Sequence, residues 1–207
     1  MEQYLYHIHK SAKGFFKDRG SRFYAYAFPV EDVESVNNHL QVLKKKYYDA
    51  RHHCYAYRLG QDGTTEFATD DREPAHSAGP PILAAIRGKD ATNILIVVVR
   101  YFGGTKLGIR GLIEAYRSAA EDALEHADLV MQIPRVLFQV NYTYEQTSEI
   151  NRIFHKFELK ITDAKYTDIC RQTVAIEQQY FDQIYHMLSE VGIEVSVENT
   201  AGNSHVS

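Results

Sequence analysis

The sequence predicts an α+β protein of two domains. Three observations lead there. Aromatic and apolar residues alternate every second position in some segments and step by three and four in others. The two kinds of segment follow one another along the 207-residue chain. After Pro134 the pattern restarts and reads strand, helix, strand, strand, helix, strand, the order of a ferredoxin-like split β-α-β unit. The expected boundary therefore separates residues 1–133 from residues 134–207.

The elements follow in order. "YLYHIH" and "SRFYAYAFPV" alternate and read as strands. In "EDVESVNNHLQVLKKKYY", Val33, Val36, Leu40, Leu43 and Tyr47 form the stripe of an amphipathic helix. Acids open that helix and lysines close it, as its dipole prefers. "HCYAYRLG" and "TTEFATD" flank the turn "GQDG" and predict a hairpin. "DREPAHSAGPP" is too rich in Pro, Gly and polar residues to be regular, and "PILAAIRG" then reads as a short helix opened by prolines. "NILIVVVRYF" is a continuous β-branched run, hence a strand buried on both faces. Leu112, Tyr116, Ala119, Ala123 and Ala127 mark a second long helix. In the C-terminal part, "PRVLFQVNYTY", "LKITDAKYTD", "CRQTVAIEQQ" and "IEVSVENT" read as strands. "EQTSEINRIFHKFE" and "FDQIYHMLSEVG" read as helices, the latter closed by Gly192. The tail "AGNSHVS" is expected to fray.

Composition narrows the class. With 44% hydrophobic and 24% charged residues, the chain has the makeup of a soluble globular protein. No apolar run approaches the roughly 20 residues of a membrane helix. The first residues lack the layout of a signal peptide. Cys54 and Cys170 match no metal spacing, which fits a reduced, cytoplasmic setting. The net charge of -4 argues against a strong sequence-independent grip on nucleic acid. The acidity is local, however. Residues 1–133 carry 17 basic and 17 acidic side chains, and residues 134–207 carry 6 and 10. "HKSAKGFFKDRGSRF" holds Lys10, Lys13, Lys17, Arg19 and Arg22 against Asp18 alone. It reads as a solvated loop or as a patch for an anionic partner.

Two stretches carry the functional signal. In "RYFGGTKLGIRGLIEAY", Gly103, Gly104, Gly108 and Gly111 are interleaved with Arg100, Lys106 and Arg110. A buried strand, a glycine turn and a helix start make a general anion site, because the first N–H groups of a helix have no internal partner. The nucleotide fingerprints are absent: no glycine precedes Lys and then Ser or Thr, and Gly103 and Gly104 are adjacent. The glycines equally serve positive φ or close backbone approach. The second stretch, "ATDDREPAHSAGPP", crowds Asp70, Asp71 and Glu73 together, with Ser77 nearby. Carboxylates so close face water, a cation or helix N–H groups. They shape the loop, or bind a divalent metal through Asp70, Asp71 and His53 or His76.

"DDREPAHSAG" and "VVVRYFGGTKLGIRGLIEAY" closely resemble the signature of the YigZ/IMPACT family. The usual pattern is Asp-Asp-Gly-Glu-Pro-x-Gly-Thr-Ala-Gly, then Arg-Tyr-Phe-Gly-Gly-x-Lys-Leu-Gly-x-Gly-Gly-Leu-x-x-Ala-Tyr. "HHCYAYRLG" is similar to the family's His-x-Cys-x-Ala-Tyr stretch, with His53 as the family histidine. This chain departs from the pattern at Arg72, His76 and Arg110, which replace glycines, and at Ser77, which replaces threonine. The resemblance implies a βαβ-type first domain similar to a ribosomal-protein or elongation-factor domain. It implies a second domain similar to the last, ferredoxin-like domain of elongation factor G. It also implies a link to the regulation of translation.

An enzyme is harder to assemble from these residues. Cys54 and His53 are neighbours on a strand and point to opposite faces. Ser77 has no obvious general base near it in sequence, although His76 or the distant His53 could be folded toward it. The sequence therefore favours a cytoplasmic binding protein whose partner is RNA, the ribosome or a translation factor, without a required cofactor. Its groove would be lined by Arg100, Gly103, Gly104, Lys106, Gly108, Arg110, Gly111, Asp70, Asp71, Glu73 and Ser77. The alternative is a metal-assisted phosphohydrolase. The acidic C-terminal module is expected to serve as a protein contact or a spacer.

Overall fold

A computed structural model describes residues 4–197. The chain divides into two compact units, Met1–Gln132 and Ile133–Ser207. The tail "AGNSHVS" lies outside the described residues.

The first unit contains β1 (Tyr6–Ile8), β2 (Ala12–Asp18), β3 (Ser21–Pro29), α1 (Val33–Lys46), β4 (His52–Leu59), β5 (Thr65–Thr69), α2 (Gly79–Gly88), β6 (Ile94–Tyr101), α3 (Gly108–Glu125) and β7 (Leu129–Met131). Five strands form one antiparallel sheet in the order β2-β3-β6-β4-β5. Strands β1 and β7 make a separate pair. Helix α1 covers one face of the sheet with Val36, Leu40 and Leu43, against Leu95, Val97 and Val99 of β6. Helices α2 and α3 cover the other face, where Ile82, Leu112 and Tyr116 meet Phe23, Cys54 and Val98. Strand β6 is thus sandwiched, and its Ile94–Val99 run is fully buried. This explains its lack of alternation: a central strand between two helix layers needs apolar side chains on both faces.

Local chemistry sets the ends. Asp32 accepts the Ser35 N–H at 2.7 Å and opens α1 as a capping box. Val33, expected in the buried stripe, is instead exposed at this first turn. The segment around Lys13 and Lys17 is not a loop. It forms edge strand β2, joined to β3 by a turn at Arg19 and Gly20, both with positive φ. Two such residues match the strand twist of a tight hairpin. Gly14 lets β2 reach α3: a Cβ there would lie 2.3 Å from the Ala123 nitrogen.

The second unit holds β8 (Arg135–Tyr142), a 3-10 turn at Tyr144–Gln146, α4 (Thr147–Lys156), β9 (Lys160–Tyr166), β10 (Cys170–Glu177), α5 (Gln178–Glu190) and β11 (Glu194–Val197). Its sheet is antiparallel in the order β11-β8-β10-β9, the split β-α-β arrangement. Ile150, Ile153, Ile184 and Leu188 of the two helices pack on Phe138, Val140 and Val174. Gly192 has φ +71 just beyond α5, as a helix-closing glycine does.

Candidate functional site

Three segments converge on one cleft of about 720 Å³ in the first unit. They are the start of β4, the loop between β5 and α2, and the loop between β6 and α3. The cleft is lined by His52, Glu73, Arg100, Phe102, Lys106, Leu107, Gly108 and Ile109, among others.

The glycine loop is shaped by steric need. A Cβ on Gly103 would fall 1.9 Å from the carbonyl carbon of Gly20, so only glycine fits against the β2–β3 turn. Its N–H donates to Ser21 Oγ at 3.1 Å, which fixes the loop. Gly104 and Gly108 have φ of +89 and +74 and face open space. Helix α3 then begins with no side-chain cap among the described residues and no acid in its first turn. Its first N–H groups are left to an anion or water.

The acidic loop holds itself in place through backbone donors. Asp70 Oδ1 accepts the N–H groups of Ala78 and Gly79, both at 2.9 Å, and Oδ2 accepts His76 N–H at 2.8 Å. Asp71 Oδ2 accepts His53 N–H at 2.7 Å, and its Oδ1 lies 3.5 Å from the Arg72 Nε. Glu73 differs, because it meets side chains. Its Oε1 lies 2.5 Å from Arg100 Nη1 and accepts the Tyr116 hydroxyl at 2.8 Å. The Glu73 and Arg100 side chains are 4% and 8% exposed. Arg100 Nε is buried with no partner among the described residues.

The electrostatics follow from this packing. Burial first, and then the nearby Cys54 and Glu73, push the Tyr116 hydroxyl well above its ordinary range. It therefore remains a proton donor to Glu73. Burial also pushes the Cys54 thiol up. Its Sγ lies 2.9 Å from the Asp70 carbonyl and 3.3 Å from the Tyr116 hydroxyl, so this thiol is an inert core group. At the rim, Tyr101 donates to Asp49 at 2.7 Å, and that bond pushes its hydroxyl up to about 12.

Residues 19–124 match the family of the Impact N-terminal domain. An IMPACT family member of Haemophilus influenzae is 31% identical over 92% of this chain and 93% of its own length. The chain belongs to the IMPACT family. The Escherichia coli family member YigZ is 32% identical, over 75% of this chain and 78% of its own. A crystal structure described as a hypothetical protein superposes with a TM-score of 0.73 at 25% identity, covering 97% of this chain and all of that one.

Set against the IMPACT signature, this member's departures have distinct consequences. Arg72 and His76 stand where the family pattern has glycine, and both have left-handed backbone, with φ of +70 and +61. The positions keep the glycine conformation without the glycine. Arg110 is unstrained, because it sits in the ordinary first turn of α3. Its side chain is exposed but does not line the cleft.

The expected site residues separate into groups. Arg100, Glu73, Lys106 and Gly108 meet in the cleft, whereas Gly103, Gly104 and Gly111 shape the loop and helix around it. Asp70 and Asp71 support the loop from behind. Ser77 is fully buried and donates to the Pro74 carbonyl at 2.6 Å, so it does not reach the cleft. Among the described residues, no group of three or more His, Cys, Asp or Glu side chains is arranged to hold a metal.

The histidine expected from the family stretch, His53, is not among the residues that line the cleft. His53 is 6% exposed, and its Nε2 is buried with no partner among the described residues. His52 lines the cleft instead. Its Nδ1 lies 2.9 Å from the Asp71 carbonyl. A carbonyl can only accept, so Nδ1 carries the proton and Nε2 is left 4.0 Å from Glu73. The strand period was the missed signal: His52 lies two residues before Cys54 and shares its face.

No helix among the described residues is long and apolar enough to cross a membrane.

Proposed function

We propose that this protein acts in translation, in the cytoplasm, by holding the phosphate backbone of RNA at the cleft where α3 begins. The single observation behind this reading is the uncapped start of an 18-residue helix beside exposed Lys106. Backbone N–H groups, the helix dipole and a lysine suit one phosphate. Arg100 contributes less charge than the sequence suggests, because Glu73 neutralises it; its role is to brace the loop. Family membership supports the link to translation. The sequence resemblance further implies, as part of this proposal, a second unit akin to the last domain of elongation factor G and a first unit akin to ribosomal-protein and elongation-factor domains. The acidic second unit is then a protein contact or a spacer.

Titration of the full chain with labelled RNA at several salt concentrations tests the proposal. Affinity is expected to fall as salt rises, and Lys106→Ala with Arg110→Ala should make that dependence shallower. Absence of binding at low salt would remove RNA and leave a protein partner.

A further inference from the structure

The face of the first unit's sheet that carries α1 is not fully covered. The helix packs over β3, β6 and β4, where His39 stacks on Phe28, and its apolar cluster includes no residue of β2. On β2, alternation places Lys13, Phe15 and Lys17 on this face, while Ala12, Gly14 and Phe16 turn toward α3. Across the ladder, Phe15 pairs with Tyr24, and Lys17 pairs with Arg22, which pairs in turn with Tyr101. The result is a bare patch of rings and cations.

The rings form one connected group. Phe15 and Tyr24 have centroids 5.1 Å apart, and Tyr24 lies 6.1 Å from Tyr101 in an edge arrangement. Tyr24 also stacks on Tyr47 at 6.4 Å. Phe15 is 46% exposed. Cations frame the group. Arg22 sits 5.6 Å over the Tyr101 ring, and Lys46 sits 5.3 Å over Tyr47. The positions of β2 and β3 that face this side carry no acid.

We propose that this patch is a stacking platform for single-stranded RNA. The inference rests on the RNA reading of the cleft and adds a second binding surface, reached through Tyr101, which lines both. Charge complementarity favours a polyanion. The exposed Phe15 ring favours an unstacked base, which only a single strand offers. Lysines on an edge strand also discourage edge-to-edge pairing of sheets. That role alone requires no exposed phenylalanine seated on a tyrosine.

The chain contains no tryptophan, so Phe15→Trp supplies a unique fluorophore. Addition of an unstructured RNA oligomer to the full-length variant should quench that fluorescence, with affinity close to that of the unmodified protein. Phe15→Ala should weaken single-strand binding about tenfold, in line with loss of one stacked base. Lys13→Ala with Lys17→Ala should reduce the salt slope by roughly 0.7 for each phosphate no longer neutralised. An unchanged melting temperature in each variant ties these losses to the surface. Three outcomes would overturn the platform: a preference for duplex RNA, unquenched Phe15→Trp fluorescence on bound RNA, or unchanged affinity in Phe15→Ala. If Lys106→Ala alone weakens binding, the cleft stands and the platform falls. If the unmodified chain binds no RNA at low salt, both fall.

Discussion

Glu73 and Arg100 are 27 residues apart in sequence and form a buried ion pair at 2.5 Å on the floor of the cleft. Tyr116 supplies a further hydrogen bond to the same carboxylate oxygen. A charge in such a place is tolerated because it is paired, and removing one member leaves the other buried and unmatched. Glu73→Ala is therefore expected to destabilise the first unit by about 3–5 kcal/mol in denaturant unfolding. Glu73→Leu combined with Arg100→Met should recover much of that loss. A double variant as unstable as the single one would show that the pair is not the source.

The left-handed residues of the acidic loop predict the opposite sign. Arg72 and His76 are exposed and hold φ of +70 and +61. A non-glycine residue there costs about 1 kcal/mol, and glycine returns part of it as unfolded-state entropy. Arg72→Gly and His76→Gly should each raise unfolding free energy by up to about 1 kcal/mol. The gain at Arg72 is offset in part by loss of its bond to the Arg51 carbonyl at 3.0 Å. A fall in stability for His76→Gly would contradict the assignment.

Two glycines should respond to alanine in opposite ways. Gly103→Ala forces a methyl to within 1.9 Å of the Gly20 backbone, and should cost about 2 kcal/mol or more. Gly88 ends α2 with nothing within 4 Å of an added Cβ. Gly88→Ala should be stabilising by up to about 1 kcal/mol. Thermal melts of the two variants give the comparison.

Acid should weaken the fold through His53. Burial holds its imidazole below the ordinary value of 6.5, and the Asp71 carboxylate opposes this in part. The unfolded chain thus takes up this proton at a pH where the folded chain does not. Stability is full above about pH 6.5 and falls as pH drops toward the lowered value. Burial lowers His7 and His39 as well, with the same sign. Urea midpoints should fall between about pH 7 and pH 5, and His53→Phe should make that fall shallower. An identical pH profile in His53→Phe would assign the effect to the other histidines.

Much of the fold was legible from local pattern. The period of Val36, Leu40 and Leu43 named α1, and the unbroken run of β6 named a strand covered on both sides. The restart after Pro134 named the second unit. Strand β2 was missed for a physical reason. At a sheet edge one face meets water, so lysines occupy it, and lysines beside Gly14 resemble a loop. Only the close approach to Ala123 shows why that glycine lies in a strand.

The site was legible as two motifs but not as a geometry. The sequence by itself determined the α+β alternation, the family signature and the two loops that carry charge. Tertiary structure decided which charges meet. Strand register brings His52 opposite Arg100 and turns His53 to the other face. Chain crossing sets Glu73 on Arg100 while Asp70 and Asp71 turn to backbone amides. Burial faces follow from periods of two and 3.6, which any short window contains. Pairing between distant segments depends on register and on helix placement over the sheet, and no short window holds that information.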